Sequence, residues 1–199
     1  MNTLSKTVIF NMALNELGVS APIANADAQD DTRAIILRNF YETARDEVLK
    51  SFDWNFAEKY RKLTPTTDEC IDPRYQFVYD YPNDCISARE VFEEAGDGTK
   101  LKFKPSANSK GQKVLLTNVS PIVLRYTRRV EQENFFDAEF ANTLALYLAS
   151  LTGKAITGSQ QKADEAYKRY WDKVRLSKIS NATEGQEVNQ DNSTYLDAR

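Results

Sequence analysis

The stretch Phe52-Asp53-Trp54-Asn55-Phe56 separates two kinds of hydrophobic pattern in this chain. Before it, apolar side chains such as Leu37 and Tyr41 recur every three or four residues, which is the spacing of one face of an α-helix. After it, the period becomes two, as at Tyr75 and Phe77, which is the spacing of a β-strand. The three aromatic side chains of the stretch predict a hydrophobic plug where helix meets sheet.

Two helices precede this stretch. The first is predicted over residues 4–17, and Gly18 supplies the left-handed residue that ends it. A polar loop then leads to Asp30, Asp31 or Thr32, one of which caps the second helix. That helix is predicted over residues 31–52, where charges four residues apart indicate a solvated outer face.

Residues 59–133 predict an antiparallel module of four to six strands. Glycine-containing and proline-containing turns between short apolar runs favour two hairpins within it. The predicted strand pairs are residues 86–92 with 100–104, and residues 112–117 with 122–127.

Two more helices follow the strands. The third is predicted to start near Asp137 and to end at Gly158, and Ser159 caps the fourth, so the pair forms a tight antiparallel hairpin. Their apolar positions are predicted to face inward: Phe140, Leu144, Tyr147, Leu148 and Leu151 on the third helix, and Ala163, Ala166, Tyr167, Tyr170 and Val174 on the fourth. After about residue 180 the composition is too polar to fold alone, which predicts a flexible arm.

The predicted fold class is therefore α+β. It is an antiparallel four-helix bundle with an inserted antiparallel β-module between helices 2 and 3, and a flexible C-terminal arm. Residues 1–58 give the first two helices, 59–133 the β-module, 134–179 the last two helices and 180–199 the arm.

The composition argues against an enzyme. The 199 residues include no histidine, which removes Ser-His-Asp and Cys-His catalysis and nearly all catalytic zinc sites. Cys70 and Cys85 are too few for a metal motif and are expected to be free thiols. Helix caps, ion pairs and turns account for the paired carboxylates. We therefore predict no catalytic, cofactor-binding or metal-binding residues. No apolar run is long enough for a membrane span, and the first ten residues lack the core of a signal peptide.

A basic segment, residues 100–130, carries eight positive charges and no negative one, whereas the whole chain has a net charge of −3. Its basic residues are Lys100, Lys102, Lys104, Lys110, Lys113, Arg125, Arg128 and Arg129. Alternation places Lys100, Lys102 and Lys104 on one face of a strand. Three interpretations stay open: an edge strand protected by lysines, contact with acidic protein neighbours, or contact with a DNA backbone.

An ordered set of stretches resembles the head-to-tail adaptor proteins of tailed bacteriophages, in particular the tail tubular protein A (gatekeeper) family of short-tailed phages. The stretches, in chain order, are residues 13–19 with Pro22-Ile23, 41–49 running into 52–57, 79–85, 124–127, 136–141, 151–159 and 193–199. The resemblance covers nearly the whole chain.

This resemblance implies a structural virion protein without catalytic residues. Such proteins form a ring, commonly of twelve subunits, between the portal protein and the tail nozzle, and phage DNA passes through its lumen at ejection. The protein would occupy the host cytoplasm before assembly and the phage neck afterwards. Candidate residues for subunit or portal contact are Tyr195, Leu196 and Arg199 of the arm, with Lys100, Lys102, Lys104, Arg125, Arg128 and Arg129. The alternative function is a nucleic-acid-binding module that uses the basic segment.

Overall fold

The computed structural model describes residues 4–68, 70 and 72–184, and in these it has four α-helices and two three-stranded antiparallel sheets. The protein is therefore of mixed α+β class. The helices are α1 (Lys6–Glu16), α2 (Thr32–Ser51), α3 (Ala138–Thr157) and α4 (Gln160–Glu184). The strands are β1 (Glu58–Leu63), β2 (Phe77–Asp80), β3 (Cys85–Glu93), β4 (Lys104–Ala107), β5 (Lys113–Thr117) and β6 (Ile122–Arg128).

The helix boundaries follow from local capping, as predicted. The Asp31 carboxylate accepts a hydrogen bond from the backbone N–H of Arg33 at 2.9 Å, so Asp31 is the cap of α2. The Asp137 carboxylate accepts from the N–H of Phe140 at 2.6 Å and starts α3 in the same way. Gly158 ends α3 with a φ of 74°, a conformation that glycine adopts without strain.

Helix α3 is the central helix, because it contacts α1, α2 and α4. It is buried over most of its length, including Phe140, Leu144 and Leu148. Gly153 makes a close approach of α4 possible, since a Cβ atom there would lie 3.1 Å from the Cα of Ala163. The predicted helical hairpin of α3 and α4 is thus confirmed.

The aromatic plug is also confirmed. Trp54 packs edge-to-face on Phe140 with ring centroids 5.2 Å apart, and Phe56 contacts both Phe136 and Phe140. The indole N–H of Trp54 donates to the carbonyl of Val48 at 2.9 Å, so its polar atom is satisfied inside the core. The plug fixes the point at which the chain leaves α2 and enters the strands.

Both three-stranded sheets are built from the segment between α2 and α3, in the orders β1-β6-β3 and β2-β5-β4. The predicted hairpin of residues 112–117 with 122–127 is wrong, because β5 and β6 belong to different sheets. Each of these two strands is the central strand of its sheet. Since both of its hydrogen-bonding edges are occupied, β5 has no edge left to pair with β6.

The predicted pairing of residues 86–92 with 100–104 is wrong for most of its length. Of this pairing, only a single bridge between Phe92 and Lys100 is formed, and β4 pairs with β5 instead. Residues 101–103 cross between the sheets: the N–H of Leu101 donates to the carbonyl of Val91 in β3, and the Thr117 hydroxyl of β5 donates to the carbonyl of Lys102. Lys100, Lys102 and Lys104 therefore do not lie on one strand, and only Lys104 begins β4.

Candidate interaction surfaces

Arg125, from the middle of β6, is surrounded by carboxylates of its own chain. Its guanidinium lies 2.5 Å from an Asp53 oxygen, 2.6 Å from a Glu58 oxygen and 3.4 Å from a Glu90 oxygen. Burial acts to lower the Arg125 pKa, but the hydrogen bonds that Arg125 donates to Glu58 and Asp53, together with the charges of these two carboxylates, raise it above its usual value. This side chain holds together the end of α2, β1 and β3, and its charge is matched internally.

Three more cations of the basic segment form ion pairs within the chain. Lys100 pairs with Glu90, Lys104 with Asp72 at 2.8 Å, and Arg129 with Asp46 at 2.9 Å. Hydrogen bonds from Arg74 and Lys104 hold the pKa of Asp72 well below its usual range.

Two further basic side chains have other partners in the chain. Arg128 donates to the carbonyl of Phe56 at 3.5 Å, and the Lys113 ammonium lies 4.8 Å from the ring centroid of Tyr81. Lys102 and Lys110 are exposed and have no ion pair within the described ranges. The eight charges thus do not form one exposed positive surface, because most of these side chains contact residues outside the basic segment.

Arg89 ties the β-strands to the end of α2, a contact that sequence reasoning missed. Its Nη2 donates to the carbonyl oxygens of Lys50 at 3.2 Å and Phe52 at 2.7 Å, and its Nε donates to the Thr127 hydroxyl at 2.8 Å. The last carbonyls of a helix have no intrahelical donor and carry partial negative charge, so a guanidinium there is stabilising. Backbone acceptors leave no trace in a sequence pattern.

An open groove on the helical face is lined by aromatic side chains. This aromatic groove is lined by Tyr147 of α3, by Tyr167, Tyr170 and Trp171 of α4, and by Glu47, Lys50 and Ser51 of α2. Its volume is about 300 Å³. Tyr167 is 48% exposed and Trp171 is 44% exposed.

The prediction that Tyr167 and Leu151 face inward is wrong. Helical spacing marks a stripe as apolar, but among the described helices α4 has extensive contacts only with α3, so only part of that stripe is buried. Ala163, Ala166, Tyr170 and Val174 are buried as predicted. Tyr167 is left on the groove, and Leu151 is 39% exposed on α3.

The arm residues Tyr195, Leu196 and Arg199 lie outside the described residues. Helix α4 continues to Glu184, so it includes the first residues of the segment predicted as the arm. The predicted contact of these three residues with the portal or a second subunit stays a prediction.

The titratable side chains of the described part do not assemble into a metal centre: it contains no group of three or more Cys, Asp or Glu placed to hold an ion. Cys70 and Cys85 are free thiols, and burial raises the pKa of Cys85 to about 11. A low-reactivity thiol of this kind is typical of a structural cysteine. None of the helices, over the described stretch, combines the length and apolar character that a bilayer span requires.

No protein-family model matches the chain, and a search of curated proteins also finds no match.

Proposed function

We propose that the protein is a structural virion component, a head-to-tail adaptor of the tail tubular protein A (gatekeeper) type. In this proposal, copies of the chain form a ring of twelve between the portal protein and the tail nozzle, and DNA leaves the capsid through its lumen. Helices α1 to α4 act as an antiparallel four-helix bundle that forms the ring wall. The β-module inserted between α2 and α3 faces the next tail component, and the arm reaches the portal.

The observation that carries this proposal is the aromatic groove. Exposed aromatic side chains that cluster in one concavity are costly for a chain that works alone, and they mark surfaces that another protein covers. Tyrosine and tryptophan are also the side chains most enriched in the energetically dominant positions of interfaces. The ordered resemblance to phage adaptors supplies the kind of assembly in which such a surface would be used.

Ring closure is compatible with a surface of this kind. In a cyclic ring, one face of each subunit meets a different face of the next, so a groove on one copy needs a complementary group on another chain. The internal ion pairs of Arg125, Lys104 and Arg129 reduce the role that we assign to charge attraction between neighbouring subunits. Apolar and aromatic contacts are the better candidates for the ring interface.

The arm can be tested by deleting residues 185–199, which leaves α4 intact. We expect the shortened protein to remain folded, because its core lies in the described residues, but to lose attachment to purified portal rings in a pull-down. A Tyr195→Ala/Leu196→Ala double variant should lose attachment as well. The control is Asn189→Ala, an arm variant that keeps both apolar side chains. Attachment of the truncated form at the full-length level would refute the proposed role of the arm.

A further inference from the structure

We propose that the aromatic groove binds a cationic side chain, with arginine preferred, that a partner protein presents to it. The partner's place in a portal or tail assembly depends on the proposed function. The preference of the groove for a cation rests only on the residues of this chain that line it.

The rings of the groove are arranged as a partly open receptor. Tyr147 and Tyr170 have ring centroids 4.8 Å apart, and their ring planes are tilted by 33°. Trp171 meets Tyr170 edge-to-face at 5.3 Å and meets Tyr167 edge-to-face at 6.2 Å. These contacts hold the rings in place, while Tyr167 and Trp171 leave surface exposed to solvent. Electron-rich ring faces attract cations, and tryptophan does so most strongly.

Glu47 adds a negative charge to the same groove. It lines the groove from α2, and within the described ranges it forms no salt bridge. Burial raises the pKa of the Tyr147 phenol, and the Glu47 carboxylate raises it further, which places this charge beside the rings. A carboxylate next to aromatic faces is complementary to a cation that is stacked on one side and hydrogen-bonded on the other.

Lys50 also lines the groove, and its positive charge opposes the binding of a cation. Its side chain is exposed and long, so it can move into solvent, whereas the rings are fixed by their mutual contacts. Because Lys50 adds a like charge, we expect its removal to strengthen cation binding. A planar guanidinium stacks on aromatic faces and is less strongly hydrated than an ammonium, so arginine is preferred over lysine.

The two tryptophans provide a direct test with the full-length protein. Trp171 lines the groove, whereas Trp54 is buried and hydrogen-bonded to Val48, so its indole N–H signal is an internal control. The ¹⁵N-labelled protein is titrated with the blocked peptide acetyl-Gly-Arg-Gly-amide, and separately with the citrulline peptide, which keeps the shape and removes the charge. We expect the initial slope of the Trp171 shift to be about two- to five-fold larger with arginine, because this is the contribution of cation–π attraction to affinity at exposed sites.

Variants separate the contributions of the groove. Glu47→Gln should reduce the arginine slope by roughly two- to five-fold, the effect of losing one exposed ion pair. Tyr167→Leu should reduce it by a similar factor. Lys50→Ala should increase it, and Leu151→Ala, an exposed apolar position that does not line the groove, should leave it unchanged.

Equal Trp171 slopes with arginine and citrulline would overturn the proposal. So would a Glu47→Gln variant that behaves as the unmodified protein, or a stronger response to a blocked Gly-Glu-Gly peptide, which would mean that Lys50 dominates the groove. These outcomes are independent of ring formation. If the groove shows no cation preference but the protein still attaches to portal rings, only this inference is wrong. If the groove prefers cations but the protein does not attach to portal rings, only the proposed function is wrong.

Discussion

Replacing Arg125 by methionine is the most informative perturbation of the fold. The substitution keeps an unbranched apolar side chain and removes a guanidinium that is 17% exposed and close to three carboxylates. In the variant, Asp53 keeps its longer contact to Arg89, at 3.7 Å, and Glu90 keeps its ion pair with Lys100. Glu58 loses its close ion pair with Arg125. The variant therefore leaves three negative charges crowded at the junction of α2, β1 and β3.

The loss of unfolding free energy expected for Arg125→Met follows from this geometry. Removing one partner of a fully buried ion pair costs about 3–5 kcal/mol, because the other partner stays buried without compensation. The carboxylates here keep about a third of their surface exposed, so water compensates part of the loss. We expect the free energy of unfolding to fall by about 2–3 kcal/mol. Arg129→Met is the matched control, since Arg129 is 45% exposed in its pair with Asp46, and its loss should cost less than about 1 kcal/mol.

Urea unfolding of the two variants and the unmodified protein, followed by fluorescence, measures both costs. The Arg129→Met cost should fall further in high salt, whereas the Arg125→Met cost should change less, because screening acts mainly on exposed pairs. If Arg125→Met is no more destabilising than Arg129→Met, the description of Arg125 as a structural centre of the junction is wrong.

Three other outcomes are expected. Gly153→Ala should destabilise the protein by about 1–2 kcal/mol in thermal unfolding, because the new Cβ would lie 3.1 Å from the Cα of Ala163, and an unchanged melting temperature would contradict this packing. In a Cys70→Ser background, Cys85 should react with iodoacetamide at pH 8 roughly a hundred-fold more slowly than an ordinary thiol, because burial raises its pKa to about 11; an ordinary rate would contradict this. Burial also raises the pKa of several phenols, most strongly those of Tyr41, Tyr81 and Tyr126. Since the folded state favours the neutral phenol, the contribution of these groups to stability is complete below about pH 10. It is lost as the pH rises through their raised pKa values, about 12 for Tyr81. Phenolate absorbance should therefore show these groups ionising at higher pH than an exposed tyrosine, or together with unfolding.

The parts of the fold that depend on residues close together in the sequence could be predicted. Asp31 and Asp137 cap helices through bonds two or three residues away, and Gly158 ends α3 by its own backbone conformation. The aromatic plug was also predictable, because Trp54 and Phe56 stand where the hydrophobic period changes. In each case the physical cause is contained in a short window of sequence.

The pairing of the strands could not be predicted in the same way. Alternation shows that a segment is a strand, but it does not show which of its two edges meets which partner. β5 and β6 are consecutive strands, yet β5 pairs with β2 and β4, and β6 pairs with β1 and β3, so both edges of each strand are occupied.

The surroundings of the candidate interaction residues could not be predicted from the sequence either. Arg125 is surrounded by carboxylates that are distant in sequence, so a count of local charge overestimated the exposed positive surface. Tyr167 has the spacing of a core residue and becomes part of the aromatic groove only because α4 has no further helix outside it among the described elements. Both features depend on the tertiary arrangement.

A mass-resolved measurement of the protein, first alone and then mixed with purified portal rings, tests the proposed adaptor function. If the protein is a head-to-tail adaptor, the mixture should contain one discrete complex in which a fixed number of copies closes on each portal ring, whatever the state of the isolated protein. A protein that never adds to a portal ring under these conditions would contradict the account.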